Sequence, residues 1–557
     1  GRPIPASIVV GHVPSIDAFL PPPLTGAGHI LSVVLYSLDF TSTSPSSKVV
    51  VLPPHGPSKP VLFDVVAPAN TGKARMRLAI YYELPPELLD ASDRFERYHN
   101  QLVQSFVIDA MIDDSEVHYA SLVTTARVEV TQRALFEGLQ TLEPRVASLG
   151  FNETPSGAHK FLFKGKTEHG FATINKDAAG ASSSALRKIL EEATYAVDGA
   201  GDRQPRFPET EQLDRGGDRE ANFDAVIREL ARAGHDLWLA LRYPLPQKQR
   251  QVLYDIRDSQ DRVVQIIRFD EKYVFAWSML YDFARPPEQP GSPEAPVCKG
   301  FLREESGVPI SAEKCLADCL HRDKAGSYCV WGFWGFRHSV EQVLHAPSRE
   351  VPTVKVVTPA HSPKVGVNVG ISGHYADALI GDMTTALATH GVLAIAPPME
   401  LLTTLWSDAE RPPIIILLGH YQNHPGLGAG IQIAGGTWLM LNDVADHATP
   451  WQKPNAIVVL AACESAADDL KTLVSFVNEF ANAGAAAVVG TESDVFEGLA
   501  CRLAKTLASD LTADGTLGAS MLEFRRSLLR VLSPLGLAVT AYGDAGLHLA
   551  KPGEIQS

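Results

Sequence analysis

The sequence predicts an α/β fold built on a parallel-dominated sheet in its second half, preceded by a β-rich first part. Three observations carry this. From about residue 352 onward, short β-branched runs alternate with helix-spaced segments, the pattern of a mainly parallel sheet with helices on both faces. Before residue 118, short apolar runs are separated by Gly/Pro turns, the pattern of a sandwich. The two sharpest runs, 414–418 and 457–461, are continuously apolar, as in strands buried on both faces.

The elements follow in order. Runs at 29–36, 48–52, 60–66 and 74–82 read as strands, with turns at 53–57 and 70–72, and 103–111 and 118–130 could add strands. Residues 133–149 have helical spacing, 160–164 and 171–174 read as strands, and 183–195 as a helix. Residues 199–222 are polar, rich in Gly, Asp and Arg, and lack an apolar period, which marks an exposed linker. An amphipathic helix at 224–241 and a strand at 263–269 come next. A Pro-rich break at 286–296 leads into a cysteine-rich, then aromatic, insert. Strands at 364–369, 392–396, 414–418, 457–461 and 486–489 then alternate with helices at 375–389, 399–406, 470–483, 495–509 and 517–532. The expected division is a β-sandwich at 1–118, a mixed region at 119–198, a linker at 199–222, and an α/β unit at 223–557. Within that unit, 284–345 is the insert and 352–557 the core.

Composition narrows the classes. The chain has 557 residues, long enough for two to four domains. Its net charge of −15 argues against a nucleic-acid or anionic-membrane binder. No apolar run reaches the length of a membrane span. The chain opens on Gly1-Arg2 with no basic region followed by an apolar stretch; the expectation is a cytoplasmic protein with no leader, cut from a longer one. Six cysteines are too few for a disulfide scaffold, and a reducing compartment fits them.

Chemistry concentrates where the two sharpest runs end. The first stops at Gly419-His420, the second at Cys463. Sites in open α/β sheets form beyond the carboxyl ends of the strands. A thiol of ordinary acidity is mostly protonated at neutral pH, and a nearby imidazole can take its proton. Cys463 also precedes a segment with helical spacing, whose N-terminal dipole favours a thiolate. Taken singly, a strand-end Cys or His is usually a core or structural residue. Their pairing, order and spacing point instead to a nucleophile and its base.

The residues Gly419-His420, Val458 through Ser465, and Ala483 through Thr491 resemble the CHAT family of caspase-like cysteine peptidases, relatives of caspases, gingipains and separase. Ala276 through Asp282, Pro534 through Leu537, and Tyr542-Gly543-Asp544 also look like CHAT sequences, so the resemblance spans about 223–557. It implies a caspase-like fold, with His420 as general base and Cys463 as nucleophile in acyl transfer through a thioester. The backbone amides of Tyr421 and Cys463 would serve the oxyanion. Many family members have glycine where Tyr421 stands, and glycine reaches conformations Tyr does not. The resemblance further implies a regulated endopeptidase with a protein substrate, an activating or upstream signalling protein as partner, and a bacterial defence or cell-death setting. The front half is left with two roles: recognising a partner, or holding the peptidase inactive.

Other residues are weighed beside these. Glu464 and Asp494 lie near strand ends, where an acid would select a basic substrate side chain, or simply favour a helix dipole. Cys298, Cys315, Cys319 and Cys329 could hold a structural zinc, although a cluster of reduced cysteines explains them as well. Trp331, Phe333, Trp334 and Phe336 read as core. The competing functional class is a non-catalytic scaffold with the same fold. No cofactor is required by the peptidase chemistry.

Overall fold

The computed structural model describes residues 28–37, 39–42, 46–66, 72–84, 101–112, 124–131, 144–153, 159–166, 168–174, 176–197, 203–207, 218–259, 262–268, 275–287, 293–302, 326–343, 355–356, 365–370, 392–394, 411–424, 428–446, 456–463 and 469–549, with several isolated positions. The expected helices at 375–389 and 399–406 lie outside them.

The first part contains β1 (His29–Ser37), β2 (Thr41–Ser42), β3 (Ser47–Leu52), β4 (Val65–Val66), β5 (Gly72–Glu83), β6 (Gln101–Ile112) and β7 (Thr124–Thr131). Five of them form one antiparallel sheet in the order β3-β1-β5-β6-β7. Among the described residues β2 and β4 form a small two-stranded sheet beside it. Strand alternation gives each face of the five-stranded sheet its own neighbour. Val34, Tyr36, Ala79, Tyr81 and Leu102 project from one face onto Leu162, Ile267 and Val343 of the large sheet. The other face buries Leu35, Met76 and Ile108 beneath Phe40 and Val65. The sheet also runs past residue 118, since β7 ends at Thr131.

The large sheet draws on the whole remaining chain. It takes β8 (Arg145–Glu153), β9 (His159–Lys164) and β10 (His169–Ile174) from the middle region. The short pair β11 (Tyr195–Val197) and β12 (Arg203–Pro205) stands apart, with β12 inside the stretch read as a linker at 199–222. After it come β13 (Val263–Arg268), β14 (Ser339–Gln342), β15 (Lys355–Val356), β16 (Val365–Val369), β17 (Val392–Ala394), β18 (Ile414–His424), β19 (Gly428–Ile433), β20 (Thr437–Met440), β21 (Ile457–Cys463), β22 (Ala487–Thr491), β23 (Val539–Tyr542) and β24 (His548–Leu549). The sheet order is β10-β9-β8-β13-β14-β23-β22-β21-β18-β16-β17, with the β19–β20 hairpin attached to β18. Strands β8, β13, β14 and β23 run parallel to one another, as do β22, β21, β18, β16 and β17, while β9 is antiparallel to both β8 and β10. The two parallel blocks meet antiparallel at β22 and β23. No sheet boundary therefore separates residues 145–174 from the core at 352–557.

One element differs from its expected type. The helical spacing over 133–149 gives way to a strand from Arg145, because Ala147, Leu149 and Phe151 face the common core and β8 pairs with β13. Tertiary pairing outweighs local spacing here.

The helices are α1 (Lys176–Thr194), α2 (Asp218–Arg242), α3 (Gln251–Asp258), α4 (Trp334–Arg337), α5 (Leu441–Asp446), α6 (Asp469–Ala483), α7 (Glu497–Thr512) and α8 (Leu517–Arg530). Helix α7 covers one face of β18 and β21, and α6 the other. Residues 276–282 and 330–337 form a buried slab in which Trp277, Trp331 and Trp334 are enclosed. The Leu280 carbonyl accepts from Trp334 N–H, and the Gly234 carbonyl of α2 accepts from Tyr281 N–H. The aromatic stretch is core, as its composition implies. Among the described residues no helix is long and apolar enough to cross a membrane.

Candidate active site

The site begins with two strands that cannot be told apart by hydropathy. In β18, Ile414, Ile416 and Leu418 face one core while Ile415 and Leu417 face another. In β21, Ile457, Val459 and Ala461 face the first, Val458 and Leu460 the second. Burial on both faces is what made each run continuously apolar. The strands pair in parallel from Ile414↔Ile457 to His420↔Cys463, the last rung they share. His420 continues the Ile414, Ile416, Leu418 alternation, and position 463 continues the Ile457, Val459, Ala461 alternation. The two positions thus stand side by side at the carboxyl edge, on the face toward α7. The His420 ring is half-buried.

Beyond His420, β18 changes partner and runs on into the β19 hairpin, with Tyr421 opposite Ile431. Gly419 permits this turn of the chain. A Cβ there would lie 2.0 Å from the Gln432 carbonyl oxygen, and one at Gly370 would lie 2.1 Å from the same atom. The Asn368 side-chain oxygen accepts from Ala434 N–H at 2.9 Å, and Gly370 N–H donates to the Leu418 carbonyl at 2.6 Å. Backbone therefore lies directly on backbone at the strand ends. Tyr421 has strand geometry, and among the described residues Asp514 and Leu532 are the non-glycine residues of positive φ. The position held by Tyr421 needs no conformation reserved for glycine. The tyrosine ring is buried against Phe476, 6.0 Å between centroids. Gly428 and Gly430 lie in β19, opposite His424 and Gln422 of β18.

Of the acids weighed from the sequence, Glu464 lies outside the described residues. Asp494 follows β22, and its carbonyl oxygen is 2.9 Å from the Thr194 hydroxyl of α1. Its neighbour Glu492 is enclosed, with its carboxylate 3.2 Å from Arg187 Nη2. Burial pushes the Glu492 carboxyl above its usual range, while Arg187 and Thr540 pull it back. Arg525, also buried, donates to the Ser278 hydroxyl at 3.0 Å and the Val539 carbonyl at 2.7 Å. Burial lowers its pKa to about 10, with Glu492 opposing. Arg187 and Thr194 were not visible as site neighbours in the sequence. They read there as ordinary positions on an amphipathic helix some 300 residues from Glu492 and Asp494.

The cysteine cluster is only half in view. Cys315 and Cys319 lie outside the described residues. Cys298 and Cys329 each stand one residue past the Val297–Tyr328 bridge. Cys298 N–H donates to the Tyr328 carbonyl at 2.7 Å, and Cys329 N–H to the Tyr281 hydroxyl at 3.1 Å. Among the described residues no three His, Cys, Asp or Glu side chains gather around a common point. Cys501 is buried in α7.

Comparison with known proteins finds similarity over part of the chain. The model of the CHAT domain matches residues 386–534. A probable protease of Vitiosangium sp. (strain GDMCC 1.1324) is 24% identical over 276 residues, covering 46% of this chain and 35% of that protein. The chain spans about a third of the length of that curated relative. Among solved structures, the Saccharomyces cerevisiae separase–securin complex aligns with 72% of this chain and 30% of that one, at a TM-score of 0.36 and 10% identity. The complex of Porphyromonas gingivalis RgpB pro- and mature domains aligns with 55% of this chain and 70% of that one, at a TM-score of 0.31 and 10% identity. The match to the CHAT domain model takes in both His420 and Cys463.

Proposed function

We propose that the protein is a cysteine endopeptidase in which His420 is the general base and Cys463 the nucleophile. The observation that supports this most is the pairing of these two positions on the last shared rung of β18 and β21. Neighbouring strands lie about 4.8 Å apart, within reach of proton sharing between side chains on one face. The family match and a relative named as a probable protease point the same way.

In this reading the His420 imidazole takes the Cys463 thiol proton, and the thiolate attacks the carbonyl carbon of the scissile peptide bond. The carbonyl oxygen becomes an oxyanion, met by the backbone N–H groups of Tyr421 and Cys463; such donors are worth roughly 3–4 kcal/mol each. The imidazolium returns the proton to the leaving amine, which departs and leaves a thioester. His420 then activates a water, which adds to the thioester carbon and releases the acid and the thiol. Glu464 and Asp494 are the acids that would meet a basic substrate side chain. No step uses a cofactor. The partners in this reading are a protein substrate and an upstream activating protein, in a bacterial defence or cell-death system; that setting rests on family analogy.

Thiol labelling tests the dyad. Iodoacetamide should modify Cys463 at least about tenfold faster than the other five cysteines, and His420→Ala should slow it by about 10²-fold or more. A proteome digested with the wild-type chain should gain N-termini absent with Cys463→Ala. Uniform slow labelling of all six thiols, with no new N-termini, would instead support the non-catalytic scaffold.

A further inference from the structure

Helix α1 belongs to the front half of the chain, yet it reaches the strand ends of the large sheet. Arg187 Nη2 lies 3.2 Å from Glu492 Oε2. Two turns further along the same helix, the Thr194 hydroxyl lies 2.9 Å from the Asp494 carbonyl. Both contacts fall on the segment that leaves β22, the parallel neighbour of β21. The register runs from Ile457↔Ala487 to Val459↔Val489, so Glu492, Ser493 and Asp494 leave β22 on the same carboxyl side of the sheet on which β21 ends at Cys463. The Ser493 hydroxyl is enclosed and has no hydrogen-bond partner among the described residues. Glu492 N–H is fixed as well, donating to the Ala538 carbonyl at 2.7 Å.

The chemistry of the pair makes it more than a surface contact. The side chains of Arg187 and Glu492 are 14% and 2% exposed. Removing Arg187 takes away the strongest favourable partner of the buried Glu492 carboxyl and leaves it Thr540 and Arg525, so the segment carrying it is held less firmly. Exposed pairs exert no such constraint.

We infer that Arg187 is a positioning residue: acting through Glu492, it holds residues 491–494 beside Cys463 as one wall of the site for a peptide. This rests on the peptidase reading above. It makes the site composite, with its wall set by a helix from outside the CHAT match at 386–534.

Three measurements on the full chain test it. Arg187→Met should raise amide exchange over residues 491–496 by about tenfold. It should also lower the inactivation rate by peptidyl chloromethyl ketones ending in Arg, Lys, Asp or Leu by about tenfold for whichever reacts fastest. Iodoacetamide, which needs no wall, should label Cys463 within about twofold of wild type. Arg187→Lys keeps the charge and should recover much of the ketone rate. If Arg187→Met does not fold, Thr194→Val reads the same three quantities. Unchanged exchange, an unchanged ketone rate, or equal losses with ketone and iodoacetamide would each overturn the role of Arg187. A wild-type chain whose Cys463 is not selectively labelled would reject the peptidase reading itself, and the positioning role with it.

Discussion

Two regions of this molecule look chemically loaded in the sequence, and they turn out to be opposites. In the slab formed by 276–282 and 330–337, every charge is enclosed and paired. The Asp282 and Arg337 side chains are fully buried against each other. Trp334 Nε1 donates to the same carboxylate at 2.8 Å, and Arg337 also donates to the Trp331 carbonyl. The guanidinium lies 4.9 Å from the Phe283 ring centre. At the strand ends, by contrast, His420 is half-buried at the last rung shared with Cys463, and a buried carboxylate and an unpartnered hydroxyl follow on the neighbouring strand. The difference teaches how to sort motifs. Opposite charges paired inside the core, as Asp282 and Arg337 are, hold one fold together, whereas the half-buried His420 stands where the sheet opens.

The largest effect that could break this contrast is in the slab. Asp282→Ala would strand Arg337 and leave Trp334 without its acceptor, so a loss of about 3–5 kcal/mol in unfolding free energy is expected. Under conditions where the variant is still folded, iodoacetamide should label Cys463 at the wild-type rate. A variant of normal stability whose Cys463 has become unreactive would place Asp282 in the site and dissolve the distinction.

The strand ends give a smaller effect on stability. Gly419→Ala puts a methyl 2.0 Å from the Gln432 carbonyl oxygen, a contact with backbone that no rotamer change relieves. Overpacking of this kind costs about 1–3 kcal/mol, and here the strain falls between β18 and the hairpin. Urea unfolding together with ketone inactivation would check it: both should fall in Gly419→Ala. A variant that matches wild type in both would show that the hairpin does not hold His420 in place.

How far the sequence could be read follows from the same contrast. Strands β18, β21 and β22 were legible because burial on both faces left nearly unbroken apolar runs. The strand ends were legible because those runs stop at His420 and Cys463. The packing of the front sheet onto the large one was not. Val34, Tyr36 and Tyr81 read simply as inward-facing residues, and nothing local says that the surface they meet is Leu162 and Ile267 rather than a second sheet of their own. Arg145 was missed for a related reason. Its segment has helical spacing, and only pairing with β13 makes it a strand. Arg187 and Glu492 are each unremarkable until a long-range contact brings them together.

A third place stands between the two regions and sharpens the comparison by pH. Arg145 donates to Glu341 at 2.7 Å, to Asp544 at 3.0 Å and to Gln101 of the front sheet at 2.5 Å. Two carboxylates thus share one guanidinium in a nearly closed site, although the Asp544 side chain keeps 19% of its exposure. Burial and then Glu341 push the Asp544 carboxyl from 3.8 up to about 6, with Arg145 opposing. The folded state therefore holds this proton more tightly than the unfolded chain does. The stabilisation linked to it is complete below about pH 4 and is lost as pH rises through about 6. Asp544→Asn cannot titrate, so the stability of wild type relative to the variant should fall by about 1–2 kcal/mol from pH 4 to pH 6.5 and then level off. Urea unfolding of both proteins across that range reads the difference directly. Curves that stay parallel would mean that folding does not change how tightly Asp544 holds its proton.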